Sequence, residues 1–141
     1  DHTDFSALLS RLESLAEGKD LPAGFVPSST FWLVEAGELV GVSNLRHFLN
    51  SRLEHCGGHI GLGIRPSCRR KGLGSRLMGL TIQQALLRGI SNIHIHCYKK
   101  NAASAHIILK NRGELQSEIR EGNAVVQRYI VSLPKAGHGQ R

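Results

Sequence analysis

A basic segment with two glycines is the clearest candidate for chemistry in this sequence. Residues 69–74 read Arg-Arg-Lys-Gly-Leu-Gly and precede a long helical pattern of apolar residues. Glycines allow the backbone to turn sharply and to approach a ligand closely. The first N–H groups of a helix have no intrahelical partner and carry partial positive charge, which favours phosphate. The spacing therefore predicts a pyrophosphate site where this helix begins.

Two other phosphate-binding motifs do not fit these residues. In a P-loop the lysine follows a glycine, whereas Lys71 precedes Gly72. The dinucleotide motif needs a further glycine at the position that Leu77 occupies here. The pattern is instead Arg69-x-x-Gly72-x-Gly74, and a basic surface turn without a ligand is the alternative interpretation.

The charge balance also favours an anionic partner. The chain has 141 residues with 18 Lys and Arg against 11 Asp and Glu, a net charge of +7. Proteins that bind single-stranded nucleic acid usually stack bases on aromatic side chains, and only 5% of this chain is aromatic. We therefore expect phosphate rather than bases as the partner. A nucleic-acid-binding module stays open as an alternative, because net charge alone does not name the ligand.

The remaining composition predicts a cytoplasmic protein. No apolar run approaches the roughly 20 residues that a membrane helix needs. The acidic N-terminus lacks the basic and then apolar layout of a signal peptide. Three cysteines, Cys56, Cys68 and Cys97, form no CxxC pair, so reduced thiols are expected.

Hydrophobic spacing predicts the elements that position the basic segment. The expected elements are a helix over 4–17, a hairpin of strands 30–35 and 39–45, a helical turn near 50–55, a strand over 59–65, a helix from 72 to near 89, a strand over 92–98, a helix over 102–110, and a hairpin of strands 114–120 and 124–133. The central strand–helix–strand unit implies a parallel crossover. We expect an α/β fold with a mixed, mostly antiparallel sheet flanked by helices, in one domain over residues 1–133 with a tail over 134–141.

The residues around the basic segment closely resemble the core motif of the GCN5-related N-acetyltransferases (GNAT). In that family a strand leads into (Arg/Gln)-x-x-Gly-x-(Gly/Ala), as the strand over 59–65 leads here into residues 69–74. The helix that Asn101-Ala102-Ala103-Ser104 opens is similar to the family's second cofactor-side segment. The resemblance covers residues 30–133 and is nearest to a bacterial branch of predicted acetyltransferases with a "GHIGY-x-IRPS-x-RRKGYG" stretch.

The resemblance implies acetyl-CoA as the acyl donor, with its pantetheine arm between two splayed parallel strands. It implies direct attack of a primary amine on the thioester in a ternary complex, without a covalent enzyme intermediate or a metal. Homodimers are common in the family. The cofactor-binding residues that it implies are Leu62, Gly63 and Ile64 for the pantetheine, Arg69, Arg70, Lys71, Gly72, Leu73 and Gly74 for the pyrophosphate, and Asn101 and Ser104 beside the pantetheine arm.

The sequence departs from the family at the general acid. Many members carry a tyrosine where this chain has Ile108, and Tyr98, Tyr129 and His106 are the nearest substitutes. A chain that binds coenzyme A without turnover is therefore an alternative. The family's first strand is also not recognisable ahead of the N-terminal helix, which affects the acceptor pocket more than the cofactor site.

A general base must accept a proton from the attacking amine. His59 has a suitable unperturbed pKa near 6.5. Glu54 and His55 precede it in sequence, and Glu35 lies on an earlier strand. With Tyr98 as a substitute for the general acid, the candidate catalytic residues are His59, Glu54 and Tyr98.

A zinc site is a further alternative. Cys56-x-x-His59 has tolerable ligand spacing, and His94, His96 and Cys97 follow on one strand. Alternate strand residues point to opposite faces, which separates Cys97 from the two histidines. We therefore expect no metal.

Overall fold

The computed structural model describes residues 12–13, 16–19, 21 and 23–132 and contains two three-stranded antiparallel sheets. Most of the helix predicted over 4–17, and the tail predicted over 134–141, lie outside the described residues. The elements are β1 (Ser28–Glu35), β2 (Glu38–Arg46), α1 (Ser51–His55), β3 (Ile60–Ile64), a 3-10 turn (Pro66–Cys68), α2 (Leu73–Leu87), β4 (Asn92–Tyr98), α3 (Ala102–Lys110), β5 (Glu114–Glu121) and β6 (Ala124–Ser132).

The two sheets have the strand orders β1-β2-β3 and β4-β6-β5, which makes β3 and β4 the edges that face each other. The backbone N–H of His59 donates to the carbonyl of His94 at 2.7 Å, and one isolated bridge joins Gly58 to Ile95. No hydrogen-bonded ladder joins β3 to β4 in the described chain. The α/β fold class is confirmed, and the central strand pair is splayed.

One apolar cluster holds the splayed sheets at a fixed separation. It draws residues from both sheets and from both longer helices, so each side of the splay packs on the other. Fully burying one such side chain stabilises the fold by about 1.5–3 kcal/mol. The cluster consists of Leu45, Ile60, Met78, Ile82, Ala85, Ile93, Ile95, Ile108, Tyr129 and Val131.

A buried polar link fixes α2 on the first sheet. Thr81 Oγ1 donates to the carbonyl of Leu77 at 2.8 Å, so Ser43 Oγ on β2 donates to Thr81 Oγ1 at 2.7 Å. Because each hydroxyl proton has an acceptor, these hydrogen bonds offset the cost of burying the two hydroxyls. The middle of α2 is thereby held against β2. Of the helices in the described ranges, none is long and apolar enough to cross a membrane.

Candidate active site

An open groove with a volume of about 650 Å³ lies between the end of β3 and the first turns of α2 and α3. Every predicted cofactor residue except Lys71 lines this groove, because the chain turns sharply after β3 and brings both helix starts to one place. The lining residues predicted from sequence are Leu62, Gly63, Ile64, Arg69, Arg70, Gly72, Leu73, Gly74, Asn101 and Ser104.

The two glycines of the basic segment serve different purposes. Gly72 has a φ of 76° at the N-cap of α2, and a Cβ built there would meet nothing within 4 Å. A Cβ on Gly74 would lie 2.6 Å from Ile107 Cδ1 of α3. Gly72 therefore keeps the backbone bare toward the groove, while Gly74 allows α3 to pack closely on α2.

The electrostatics at the start of α2 suit an anion. The helix has no acidic residue in its first turn, and its first N–H groups have no intrahelical acceptor. Arg69 donates from Nε to the carbonyl of Ile64 at 3.3 Å, which holds its guanidinium beside the groove. Lys110 adds a cation from α3. Arg65, by contrast, pairs with Glu38 at 2.9 Å.

A second cavity of about 300 Å³, the apolar pocket, continues the groove into the splay between β3 and β4. The two cavities share Leu62, Asn101, Ser104 and Ile107, so they lie next to each other. The other residues of the apolar pocket are Cys56, Gly57, Ile60, Gly61, Met78, Ile95, His96, Cys97, Tyr98, Ile108 and Val126.

Asn101 stands at the junction of the groove and the pocket and also caps α3. Its Oδ1 accepts the N–H of Ser104 at 3.1 Å. An N-cap asparagine satisfies one of the free N–H groups of the helix. Capping uses the side-chain oxygen of Asn101 and leaves its amide nitrogen for other contacts.

A match to a family sequence model identifies the family to which this chain belongs. The model described as "Acetyltransferase (GNAT) family" matches residues 6–113, which include every lining residue of the groove, every lining residue of the apolar pocket except Val126, and both helix starts. The chain belongs to the acetyltransferase (GNAT) family. This GNAT protein is accordingly an acyltransferase with acetyl-CoA as its donor. No curated protein matches the chain significantly.

Solved GNAT structures share the fold at low sequence identity. yncA from Salmonella typhimurium, solved with its cofactor acetyl-CoA, has a TM-score of 0.69 at 15% identity, covering 97% of this chain and 76% of that one. A GNAT acetyltransferase from Streptococcus pneumoniae has a TM-score of 0.64 at 15% identity, with coverage of 94% and 95%. The N-acetyltransferase PseH from Campylobacter jejuni, in complex with acetyl coenzyme A, has a TM-score of 0.60 at 15% identity, with coverage of 95% and 83%.

His59 of this GNAT protein is buried at the seam between the sheets. Its Nδ1 accepts the backbone N–H of His94 at 2.9 Å, so the neutral ring carries its proton on Nε2. Burial, with smaller effects of His94 and Arg46, lowers the pKa of His59 to about 4. In this arrangement the ring has no free lone pair with which to accept a proton.

The other two candidate catalytic residues line different cavities. Tyr98, at the end of β4, is exposed and lines the apolar pocket. Glu54 of α1 lines a separate polar cavity of about 420 Å³ beside β4, β5 and β6. The three candidates predicted from sequence are therefore not brought together in one cluster.

Neither cysteine of the apolar pocket is poised as a nucleophile. Burial raises the pKa of the Cys97 thiol. Burial, followed by the charge of Glu121, raises the pKa of Cys56. Both groups are therefore thiols rather than thiolates near neutral pH, and the thiolate is the reactive form. Among the described residues no group of three or more His, Cys, Asp or Glu could hold a metal ion.

Lys110 and His96 line the two cavities but were not among the cofactor-binding or catalytic residues predicted from the sequence. Lys110 reaches the groove because it lies on the same face of α3 as Ala103 and Ile107, a spacing that the sequence does show. His96 reaches the apolar pocket through the approach of Gly57, which donates its N–H to His96 Nδ1 at 2.9 Å. No local signal predicts that contact between distant segments.

Proposed function

We propose that this protein transfers the acetyl group of acetyl-CoA to a primary amine by direct attack within a ternary complex. The observation that carries the proposal is that the basic groove at the start of α2 adjoins the apolar pocket, with four lining residues in common. This arrangement suits a donor that has a pyrophosphate at one end and a small acyl group at the other.

The proposed binding mode assigns the pyrophosphate to residues 69–74. Gly72 supports it through its open, bare backbone, and Arg69 and Arg70 through charge. Lys71 does not line the groove, so we assign it a contribution to the field rather than a contact. Lys110 is added to the set as a cation on the opposite wall.

The pantetheine arm is assigned to the edge of β3. This strand pairs with β2 on one side, and its other edge faces the groove at Leu62, Gly63 and Ile64. Unpaired strand groups can hydrogen-bond the amides of an extended ligand as they would those of an added strand. Asn101 and Ser104 line the same stretch from α3.

The chemical step is proposed without an acyl-enzyme intermediate. The amine nitrogen forms a bond with the thioester carbonyl carbon, the C–S bond breaks, and coenzyme A leaves as a thiolate that takes up a proton. The raised pKa values of Cys56 and Cys97 support this route, since neither thiol competes as a nucleophile.

The proton transfers are assigned by position. Tyr98 shares the apolar pocket with Ile108, the residue at the family's usual tyrosine position, and we assign to Tyr98 the proton for the thiolate. Glu54 is assigned the amine proton, through water, from the cavity beside α1. His59 is assigned a structural role at the seam between the sheets and no proton transfer, because its Nδ1 already accepts the backbone N–H of His94.

The proposal also covers the localisation, the source, the domain organisation and the substrate class of the enzyme. We propose a cytoplasmic, bacterial, single-domain acetyltransferase over residues 1–133 that acts on amines and not on nucleic acid. Support comes from the groove around residues 69–74, where no Phe, Tyr or Trp is among the described lining residues. Because homodimers are common in the family, we propose a homodimer as the oligomeric state to test.

The test pairs two variants of one position. Asn and Asp have similar size and both tolerate a positive φ, so Gly72→Asn and Gly72→Asp differ chiefly in charge beside the pyrophosphate. We expect Gly72→Asp to lose calorimetric binding of acetyl-CoA and Gly72→Asn to retain much of it, at equal unfolding free energies. Equal affinities would contradict the assignment. ATP and NAD serve as control ligands.

Turnover is measured as release of the coenzyme A thiol with a panel of primary amines. Release that depends on the amine supports acetyl transfer. Saturable binding without release for any amine would favour the alternative of a coenzyme A-binding protein without catalysis. Steeply salt-dependent binding of DNA with no binding of acetyl-CoA would favour the nucleic-acid alternative.

A further inference from the structure

The imidazole of His96 is held in one tautomer at the wall of the apolar pocket. Its Nδ1 accepts the N–H of Gly57 at 2.9 Å, across the seam between the sheets. A neutral imidazole that accepts at Nδ1 carries its proton on Nε2. Nε2 is therefore a hydrogen-bond donor.

This donor is buried and has no hydrogen-bond partner among the residues that the structure describes. Buried polar groups in native proteins nearly always have partners, and an exception at a pocket indicates a ligand or a bound water. A Cβ on Gly58 would lie 3.3 Å from His96 Cδ2, so the near half of the ring rests on the Gly57–Gly58 backbone. His96 is also a lining residue of the apolar pocket, so its Nε2 is a buried donor without a partner in the wall of that pocket.

The charge state of the ring suits donation. Burial lowers the pKa of His96 to about 4, and nearby groups from three other strands add to this effect: Arg128 on β6, His59 at the head of β3 and Arg46 on β2, besides His94 on β4 itself. At neutral pH the ring is therefore uncharged. A neutral imidazole polarises a carbonyl by donating a hydrogen bond, without giving up its proton.

We propose that His96 Nε2–H donates to the thioester carbonyl oxygen of bound acetyl-CoA and to the oxyanion that forms there. The inference rests on the proposed function, which puts the acyl group in this pocket. When the amine nitrogen adds to the carbonyl carbon, the C=O electron pair moves onto this oxygen. Collapse of the adduct restores the carbonyl and expels the thiolate. The amine releases its extra proton to water, and His96 stays neutral throughout.

The first experiment follows the His96 ring by NMR in protein with ¹⁵N-labelled histidine. Acetyl-CoA is compared with S-ethyl-CoA, which has the same length but no carbonyl. We expect the Nε2–H proton and nitrogen signals to shift downfield with acetyl-CoA and to stay in place with S-ethyl-CoA. Equal shifts, or none, with both ligands bound would overturn the proposal and indicate a structural water as the partner. If neither ligand binds, the proposed function itself fails.

The second experiment uses substitutions. Removal of one donor to an oxyanion typically lowers kcat by about 10²–10³-fold. We expect that loss for His96→Phe with a nearly unchanged KM for acetyl-CoA, and partial rescue in His96→Gln. The control is His47→Gln, a histidine directly after β2 that lines neither the groove, the apolar pocket nor the cavity of Glu54 and should retain activity. The carbonyl stretch of bound [¹³C]acetyl-CoA should lie lower in the wild type than in His96→Phe. An unchanged kcat or carbonyl stretch in His96→Phe would contradict the proposal, and the NMR comparison decides if the variant does not fold.

Discussion

Asn111 donates through Nδ2 to the carbonyl of Ser75 at 3.1 Å, which joins the C-cap of α3 to the first turn of α2. The same amide approaches Ser75 Oγ at 3.3 Å and the carbonyl of Ile107 at 2.9 Å. The two helices that border the groove are thus tied together at the turn where the pyrophosphate is assigned.

Asn111→Ala should lower the free energy of unfolding by about 1–3 kcal/mol, since it leaves part-buried carbonyls without this donor. Urea denaturation measures the change. Gln83→Ala, at an exposed position of α2, is the control and should change stability by less than about 0.5 kcal/mol. Equal losses in the two variants would mean that the amide makes no net contribution.

Gly58→Ala should open the seam between the sheets. A Cβ at this position, where φ is 70°, would lie 2.6 Å from the carbonyl oxygen of His94. Gly37→Ala is the matched control, because φ is 79° there and a Cβ would meet nothing within 4 Å. Both changes incur backbone strain of about 1–2 kcal/mol. Only Gly58→Ala should lose a further ~1–3 kcal/mol through steric overlap. Similar urea midpoints for the two variants would argue against a tight seam.

Arg70→Gly should separate stability from ligand binding. Arg70 has a φ of 65°, a left-handed conformation that glycine adopts without strain. We expect the free energy of unfolding to rise by up to about 1 kcal/mol. Affinity for coenzyme A should fall by about tenfold through loss of a charged contact. Arg112→Gly, at a φ of 69° outside the groove, should gain stability without losing affinity. Unchanged affinity in Arg70→Gly would remove this residue from the binding set.

The buried His59 and the half-buried His96 predict a pH dependence of stability. The pKa values of His59 and His96 are lowered from near 6.5 to about 4 in the folded protein. Above the unfolded value both states are neutral, and the full stability is present. As the pH falls from 6.5 toward 4, the unfolded chain binds protons that the folded protein does not, so stability is lost.

The slope should reach about 1.4 kcal/mol per pH unit for each histidine. Urea denaturation at about pH 7, 6 and 5 measures it above the range in which most carboxylates titrate. His96→Gln should reduce the slope by about half, because one of the two groups is removed. A flat profile between pH 7 and 5 would show that these rings are more accessible than the structure indicates.

Elements with strong local patterns were predictable from the sequence. β4 and α3 have the predicted bounds, since strict alternation marks the strand and Asn101 caps the helix. The basic side of the groove was predictable for a similar reason, because residues 69–74 are contiguous. The Nδ1 contacts of His59 and His96 were not, as each depends on a backbone N–H more than thirty residues away. From the sequence, His59 was a candidate general base. In the structure, long-range packing places the backbone N–H of His94 on its Nδ1, so that lone pair is already in use.

The splay between the sheets has a consequence for the resting enzyme. β3 has one hydrogen-bonded neighbour in its sheet, and its open edge borders the groove and the apolar pocket to which the donor is assigned. Amide hydrogens on such an edge exchange with solvent through small local openings. A bound pantetheine arm would suppress those openings. Binding of the donor should therefore slow amide hydrogen exchange along β3. The free enzyme thus holds an incomplete sheet, and in the proposed binding mode the donor supplies the missing neighbour.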